Sequence, residues 1–198
     1  MPPRTGVAPR LRTAHGVASR AGIGVARLSI HEGTHTMTSA SLSAQERARI
    51  LAPAAALFAL GLVIGLIFTF KAIGHVAIWP LLPALDFDMP GTEAAWRRTH
   101  LGALMNALAM IAFALAGSGI RLDARARQVY IWSVCITGWG NTLGFLVGAL
   151  FGVRGLAFGA PWANSVNYLL FLIAALTAFA QAWLLWQGAR AQSRAAEA

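Results

Sequence analysis

The side chain with the most chemistry to offer is His100, in the run Trp96-Arg97-Arg98-Thr99-His100-Leu101-Gly102-Ala103-Leu104-Met105-Asn106. It stands at the head of an apolar stretch in which few other residues can bind a metal or carry a proton. A neutral imidazole can ligate haem iron, shuttle a proton, or simply satisfy itself at an interface. Its neighbours Gly102, Ala103, Leu104 and Ala107 are small or slender and leave room beside the ring. Asn106 follows six residues on, about 9 Å deeper and turned by roughly 120°. Asn141, in Gly138-Trp139-Gly140-Asn141, is the matching amide further along the chain. Each amide is open to two readings, a polar contact in a cavity or a hydrogen bond between helices. Arg154, in Arg154-Gly155-Leu156-Ala157-Phe158-Gly159, suits a haem carboxylate or a lipid phosphate. His75 is the other imidazole, read as a surface residue or as a second axial ligand of an electron-transfer haem. Cys135 stands alone, which excludes an intrachain disulfide and a cysteine metal site.

Those residues need elements to hold them, and composition names the elements. The chain has 198 residues, 57% hydrophobic and only 12% charged, too apolar for an ordinary soluble domain. Four stretches, Ile50–Phe70, Leu101–Ile120, Val129–Val153 and Ala163–Gln187, carry no charge except in their connections. Each reaches the roughly 20 residues that a helix needs to cross a bilayer. The fold expected is therefore all-α, a polytopic membrane four-helix bundle over residues 44–188, followed by a tail over 189–198. Ser43-Ala44-Gln45-Glu46 reads as a capping box that opens the first helix. Residues 72–98 form the longest connection, rich in proline, acids and apolar side chains, and are expected to fold back over the bundle as a lid.

Residues 1–43 read as a disordered extension. Within residues 1–36 there are five arginines against one glutamate and no sustained apolar core of a secretory signal. Met37 is the expected true start, with residues 1–36 dispensable; a targeting peptide is the other reading. The net charge of +9 is concentrated in this segment and at the ends of the spans, so nucleic acid is not the expected partner. Arg47, Arg49, Arg121, Arg125, Arg127, Arg190 and Arg194 fall on one side of the spans. Lys71, Arg97, Arg98 and Arg154 fall on the other, beside Asp86, Asp88 and Glu93. The positive-inside rule then places both termini in the cytoplasm. The third span carries Gly140, Gly144, Gly148 and Gly152, a groove for another helix or for one face of a flat ligand.

The order and spacing of Gly91-Thr92-Glu93-Ala94-Ala95-Trp96-Arg97-Arg98-Thr99-His100 with Asn106, Gly138-Trp139-Gly140-Asn141 and Arg154-Gly155-Leu156-Ala157-Phe158-Gly159 resembles the styrene-oxide isomerases. The resemblance runs over roughly residues 44–187. It implies a small four-helix enzyme of a bacterial-type inner membrane, associated with styrene degradation. It also implies a homotrimer with haem b held between subunits and His100 as its axial ligand. The ferric iron of that family acts as a Lewis acid on a small hydrophobic epoxide that arrives through the lipid; a hydride shift then gives an aldehyde. Asn106 matches the family asparagine near the substrate. Asn141, Gly140, Gly144 and Arg154 fall in the motifs that would surround substrate and haem. Two positions depart from the family. Phe145 stands where it has a pocket tyrosine, and Thr137 where it has an aspartate, which leaves the choice among small epoxides and oxygenated aromatics open. The related hydroxylaminobenzene mutases share a similar His-to-Asn spacing and are the nearest enzymatic alternative. A non-catalytic haem protein is the other.

Overall fold

The protein is described by a computed structural model over residues 39–197. The readings of residues 1–36 and of Met37 lie outside the described residues. The elements in chain order are α1 (Ala44–Ile73), β1 (His75–Ile78), β2 (Leu82–Asp86), α2 (Glu93–Ala116), a 3-10 turn at Gly117–Gly119, α3 (Ala124–Phe151) and α4 (Trp162–Glu197). The four α-helices are each long and apolar enough to cross a membrane.

The helices begin where short polar side chains can take up the first free amides. The capping box at α1 is present in both directions. Glu46 N donates to Ser43 Oγ at 3.2 Å, and Ser43 N donates to the Glu46 carboxylate at 2.9 Å. Thr92 and Asp123 cap α2 and α3 in the same way. Pro53 lies inside α1 and has no N–H to give the carbonyl of Arg49. Cys135 of α3 supplies a weak S–H donor to that carbonyl at 3.8 Å, so the lone cysteine has a packing role.

Each helix packs along the one before it: α1 on α2, α2 on α3, α3 on α4. α1 also touches α3, whereas α4 has no extended contact with α1 or α2. One core cluster, around Ile50, Leu57, Met110, Tyr130 and Val134, fills the α1–α2–α3 triangle. A second, built from Ile64, Trp96, Ala103 and Ala149, lies nearer the other end. The two ends differ in charge as the sequence requires. Arg127 pairs with Glu46 at 3.0 Å and Arg49 reaches Gln128 at 3.1 Å. Residue 40 bridges to Leu122 at the same end. Lys71 pairs with Asp88 at 3.2 Å at the other.

The glycine groove of α3 is filled from within the chain. A methyl group on Gly140 would sit 3.3 Å from the Ala174 side chain, and one on Gly144 would sit 2.6 Å from the Phe171 ring. Gly148 faces Asn167, while Gly152 is the C-cap of α3, with a left-handed φ of 66°. Without side chains at these positions the two backbones approach closely, and the contact is made by van der Waals packing.

Two expectations are corrected. The connection after α1 does not fold over the helices. Its strands pair with each other, His75 opposite Asp86 and Ile78 opposite Leu82, and so satisfy their own backbone. Every residue of β2 is exposed, and Trp79 at the turn is 91% exposed. Only the base is tied down, through Lys71 to Asp88 and Met89 O, Phe87 N to Gly74 O, and Trp96 Nε1 to Pro90 O. The second concerns the stretch after Gly188, expected as a tail. It continues α4 as helix to Glu197.

Gly144→Val is expected to lower stability by about 1–3 kcal/mol, because the added side chain must displace Phe171. Thermal unfolding in detergent measures this, with Gly119→Ala, where no atom lies within 4 Å, as the unchanged control.

Candidate functional site

Gly91 sets where α2 begins. Its φ of 85° turns the chain against the carbonyl of Ala149, leaving no space for a side chain. Thr92 then caps the helix, and His100 arrives two turns in, at the level of Trp96 and Ala103. There the imidazole lies against α1 at two glycines one turn apart, Gly61 and Gly65. Its Nδ1 is 2.9 Å from the carbonyl oxygen of Gly61. A carbonyl can only accept, so Nδ1 carries the proton and Nε2 keeps the lone pair. Gly65 provides the space: a methyl group there would sit 2.5 Å from Cε1 and 2.6 Å from Nδ1. Phe68 stacks on the ring at 6.4 Å between centroids. The result is a fixed, half-buried imidazole with one nitrogen available to a metal or a proton.

Asn106 belongs to a different face of α2. Its Nδ2 donates to Thr142 Oγ1 of α3 at 3.1 Å, and Thr142 donates in turn to Gly138 O at 2.9 Å. Thr142 is 0% exposed and has only one hydroxyl proton. With that proton on Gly138, its oxygen accepts, which fixes the Asn106 amide with its NH2 toward α3. The carbonyl oxygen of Asn106 then has no partner among the described residues.

Phe145 packs over Gly102 of α2 and meets Phe171 of α4 edge to face at 5.3 Å. Thr99 Oγ1 lies 3.0 Å from the Phe145 carbonyl and ties α2 to α3 at this level. By helical phase, Asn141 and Phe145 fall between two faces of α3. One is the face that Gly140 and Gly144 turn to α4; the other is the face that Gly138 and Thr142 turn to α2. They therefore lie along the groove between α2 and α4. Arg154, Gly144 and Phe145 line a cavity of about 360 Å³ at the head of that groove. Gly140 does not line it; it packs on α4. Thr137, at the position of the expected carboxylate, bonds to Thr177 Oγ1 at 2.8 Å and so belongs to the α3–α4 contact.

One chain does not bring all these residues together. His100 and Gly102 are two positions apart, roughly 200° around α2. His100 faces α1, whereas Gly102 and Asn106 face α3, Gly102 against the Phe145 ring. His75 sits in the hairpin opposite Asp86. Asn164 and Asn167 lie in the first two turns of α4. Asn164 holds the preceding loop through Gly155 N at 2.9 Å and Ala157 O at 2.8 Å.

No three His, Cys, Asp or Glu side chains gather to hold a metal among the described residues. Sequence reasoning missed Gly61, Gly65 and Thr142. The first two carried a signal, the G-x-x-x-G spacing within an apolar run. Thr142 carried none, since a threonine in a span most often bonds only its own helix.

Gly65→Val is expected to push the His100 ring off Gly61 O. Retention of an added ferric porphyrin, followed by absorbance, should weaken about 10–100-fold, the usual cost of disturbing a ligand's outer partner. Unchanged retention would show that the cleft does not position the imidazole.

Comparison with known proteins follows the same lines. No curated protein is a significant match to the chain. The family model described as styrene oxide isomerase matches residues 46–190, which span all four helices and every site residue named above. This chain belongs to the styrene oxide isomerase family.

Proposed function

We propose that the chain is a haem-b-dependent membrane isomerase that opens a small hydrophobic epoxide and gives an aldehyde by hydride shift, with no net redox change. Membership of the family supports the reaction class. The observation that carries the cofactor is His100, whose Nδ1–H is committed to Gly61 O while Nε2 stays free. This donor chemistry fits a haem iron. A metal-ligating imidazole characteristically gives its other N–H to a carbonyl or carboxylate, which fixes the tautomer and raises ligand basicity. Ferric haem, when bound, supplies a Lewis acid that draws electron density from the epoxide oxygen.

The chain's own residues supply the rest. His100 would hold the iron through Nε2, with Nδ1–H kept on Gly61 O. Asn106 turns its carbonyl oxygen, fixed by Thr142, toward the carbon that loses its bond to oxygen and gains positive character. The hydride moves within the substrate, from the carbon that keeps the oxygen to the cationic carbon. Phe145 and Phe171 wall the groove with aromatic rings and keep out water that would trap the cation as a diol. With Phe145 in place of a tyrosine, substrate choice at this part of the wall rests on shape.

His100 and the Asn106–Phe145 wall lie on opposite flanks of α2, so the reading requires more than one copy. The His100 flank of one chain meets the α2–α4 groove of the next. An interface between two different patches closes into a ring when the rotation allows, and a homotrimer is the ring proposed. The arginine-rich end faces the cytoplasm of a bacterial-type inner membrane, and substrate arrives through the lipid.

The test is purification with added haem and an absorption spectrum, beside His100→Ala. The parent should show a Soret band that the variant loses or shifts, and the variant should convert a panel of aryl epoxides at least about a hundredfold more slowly. Equal spectra would sink the assignment. Thr142→Val should lower turnover about tenfold, in line with a lost hydrogen bond to a positioned amide, with Thr142→Ser restoring it.

A further inference from the structure

We propose that the cavity at the head of the α2–α4 groove is a carboxylate site, built to hold the anionic end of an otherwise apolar molecule. Its walls are Phe145, Phe171, Val153 and Leu156, and its polar groups are Arg98, Arg154 and Asn167. The two guanidiniums have no acidic partner among the described residues; the ion pairs there are Lys71–Asp88 and Arg127–Glu46. Asn167 is 1% exposed, and neither its Nδ2 nor its Oδ1 has a hydrogen-bond partner. Buried amides are nearly always paired. The polar neighbours of Asn167 obey that rule: Asn164 is bonded to Gly155 and Ala157, and Ser165 to Gly159. Gln181, further along α4, also has an unpartnered Oε1, but among the buried side chains Asn167 is the one with both amide atoms unpaired, and it lines the cavity.

The donor set selects the ligand. A guanidinium fork matches the two oxygens of a carboxylate in one plane and makes charge-assisted bonds to both. Asn167 Nδ2 adds a third donor, and its Oδ1 can accept an arginine N–H. The aromatic walls ask for an apolar body on the same molecule. Two sources supply this chemistry. One is the side-chain carboxylates of a haem held on His100 of a neighbouring copy, which rests on the function proposed above. The other is a free aryl-alkyl carboxylate from the membrane.

Two measurements separate them. In the first, haem-free protein in detergent is titrated by calorimetry with 4-phenylbutanoate and with its neutral amide, and inorganic phosphate is tried as a competitor. In the second, ferric haem and its dimethyl ester are compared by Soret absorbance. Each is repeated with the Arg98→Gln/Arg154→Gln double variant and with Asn167→Leu; the arginines are exposed, so the double variant keeps its fold. The charged form should bind about tenfold more tightly than the neutral one, and the double variant should abolish that preference. A preference in the haem comparison alone assigns the site to the cofactor's carboxylates. One in the calorimetry alone assigns it to a free carboxylate. If neither porphyrin binds, the haem reading fails, and the calorimetry still decides the site. No preference in either, a preference that survives the double variant, or displacement by phosphate at equal concentration would overturn the proposal.

Discussion

The hydrogen bond from His100 Nδ1 to the Gly61 carbonyl is the contact on which the site depends. It selects the tautomer, aims the free nitrogen and fixes the ring plane in one step. It exists because Gly61 and Gly65 let α2 approach α1 closely enough for an imidazole to lie on backbone. A side chain at Gly65 would occupy the ring's own volume. The same closeness puts Ala103 and Trp96 into a shared core with Ile64, so packing and orientation are one arrangement.

α2 works as a divider. One flank carries the imidazole, and the other carries an amide, an aromatic wall and a cationic cavity. The glycine stripe of α3 makes this division possible by spending its close approach on α4. α4 is thereby held mainly to α3, with Gly188 anchored on Ile120, Leu122 and Arg121 N, and makes no extended contact with α2, leaving the groove along which Asn141 and Phe145 lie. Under the proposed function a ring of copies joins the two flanks, since each chain then offers one and receives the other.

Much of this was legible from residue order. Long uncharged runs mark the spans, and Ser43 marks a helix start that the structure keeps. Charge sorting between the two ends was equally plain. The hairpin was not: alternation in Val76-Ala77-Ile78 and Leu82-Pro83-Ala84-Leu85 is weak, and proline and acids there read as loop. Nor could sequence show which flank of α2 each residue takes, because two helices meet α2 and phase alone does not say which neighbour lies where. The glycines of α3 drew attention by their number, whereas the pair on α1 that seats His100 passed as ordinary apolar sequence. Thr137 illustrates the limit of matching positions. Its hydroxyl is closed off by Thr177, which only the α3–α4 contact reveals.

The way each helix lies chiefly on its predecessor bears on how the protein is made. A span leaving the translocation machinery finds its main partner already in the bilayer, so assembly can follow synthesis without long-range rearrangement. The triangle of α1, α2 and α3 closes before α4 emerges, and its two core clusters need nothing from α4 beyond peripheral cover. The cleft that seats the imidazole is thus built entirely by spans that precede α4 in the chain. The groove takes shape only with the last span, so a chain interrupted before α4 would own a histidine cleft but no opposing wall to offer a neighbour.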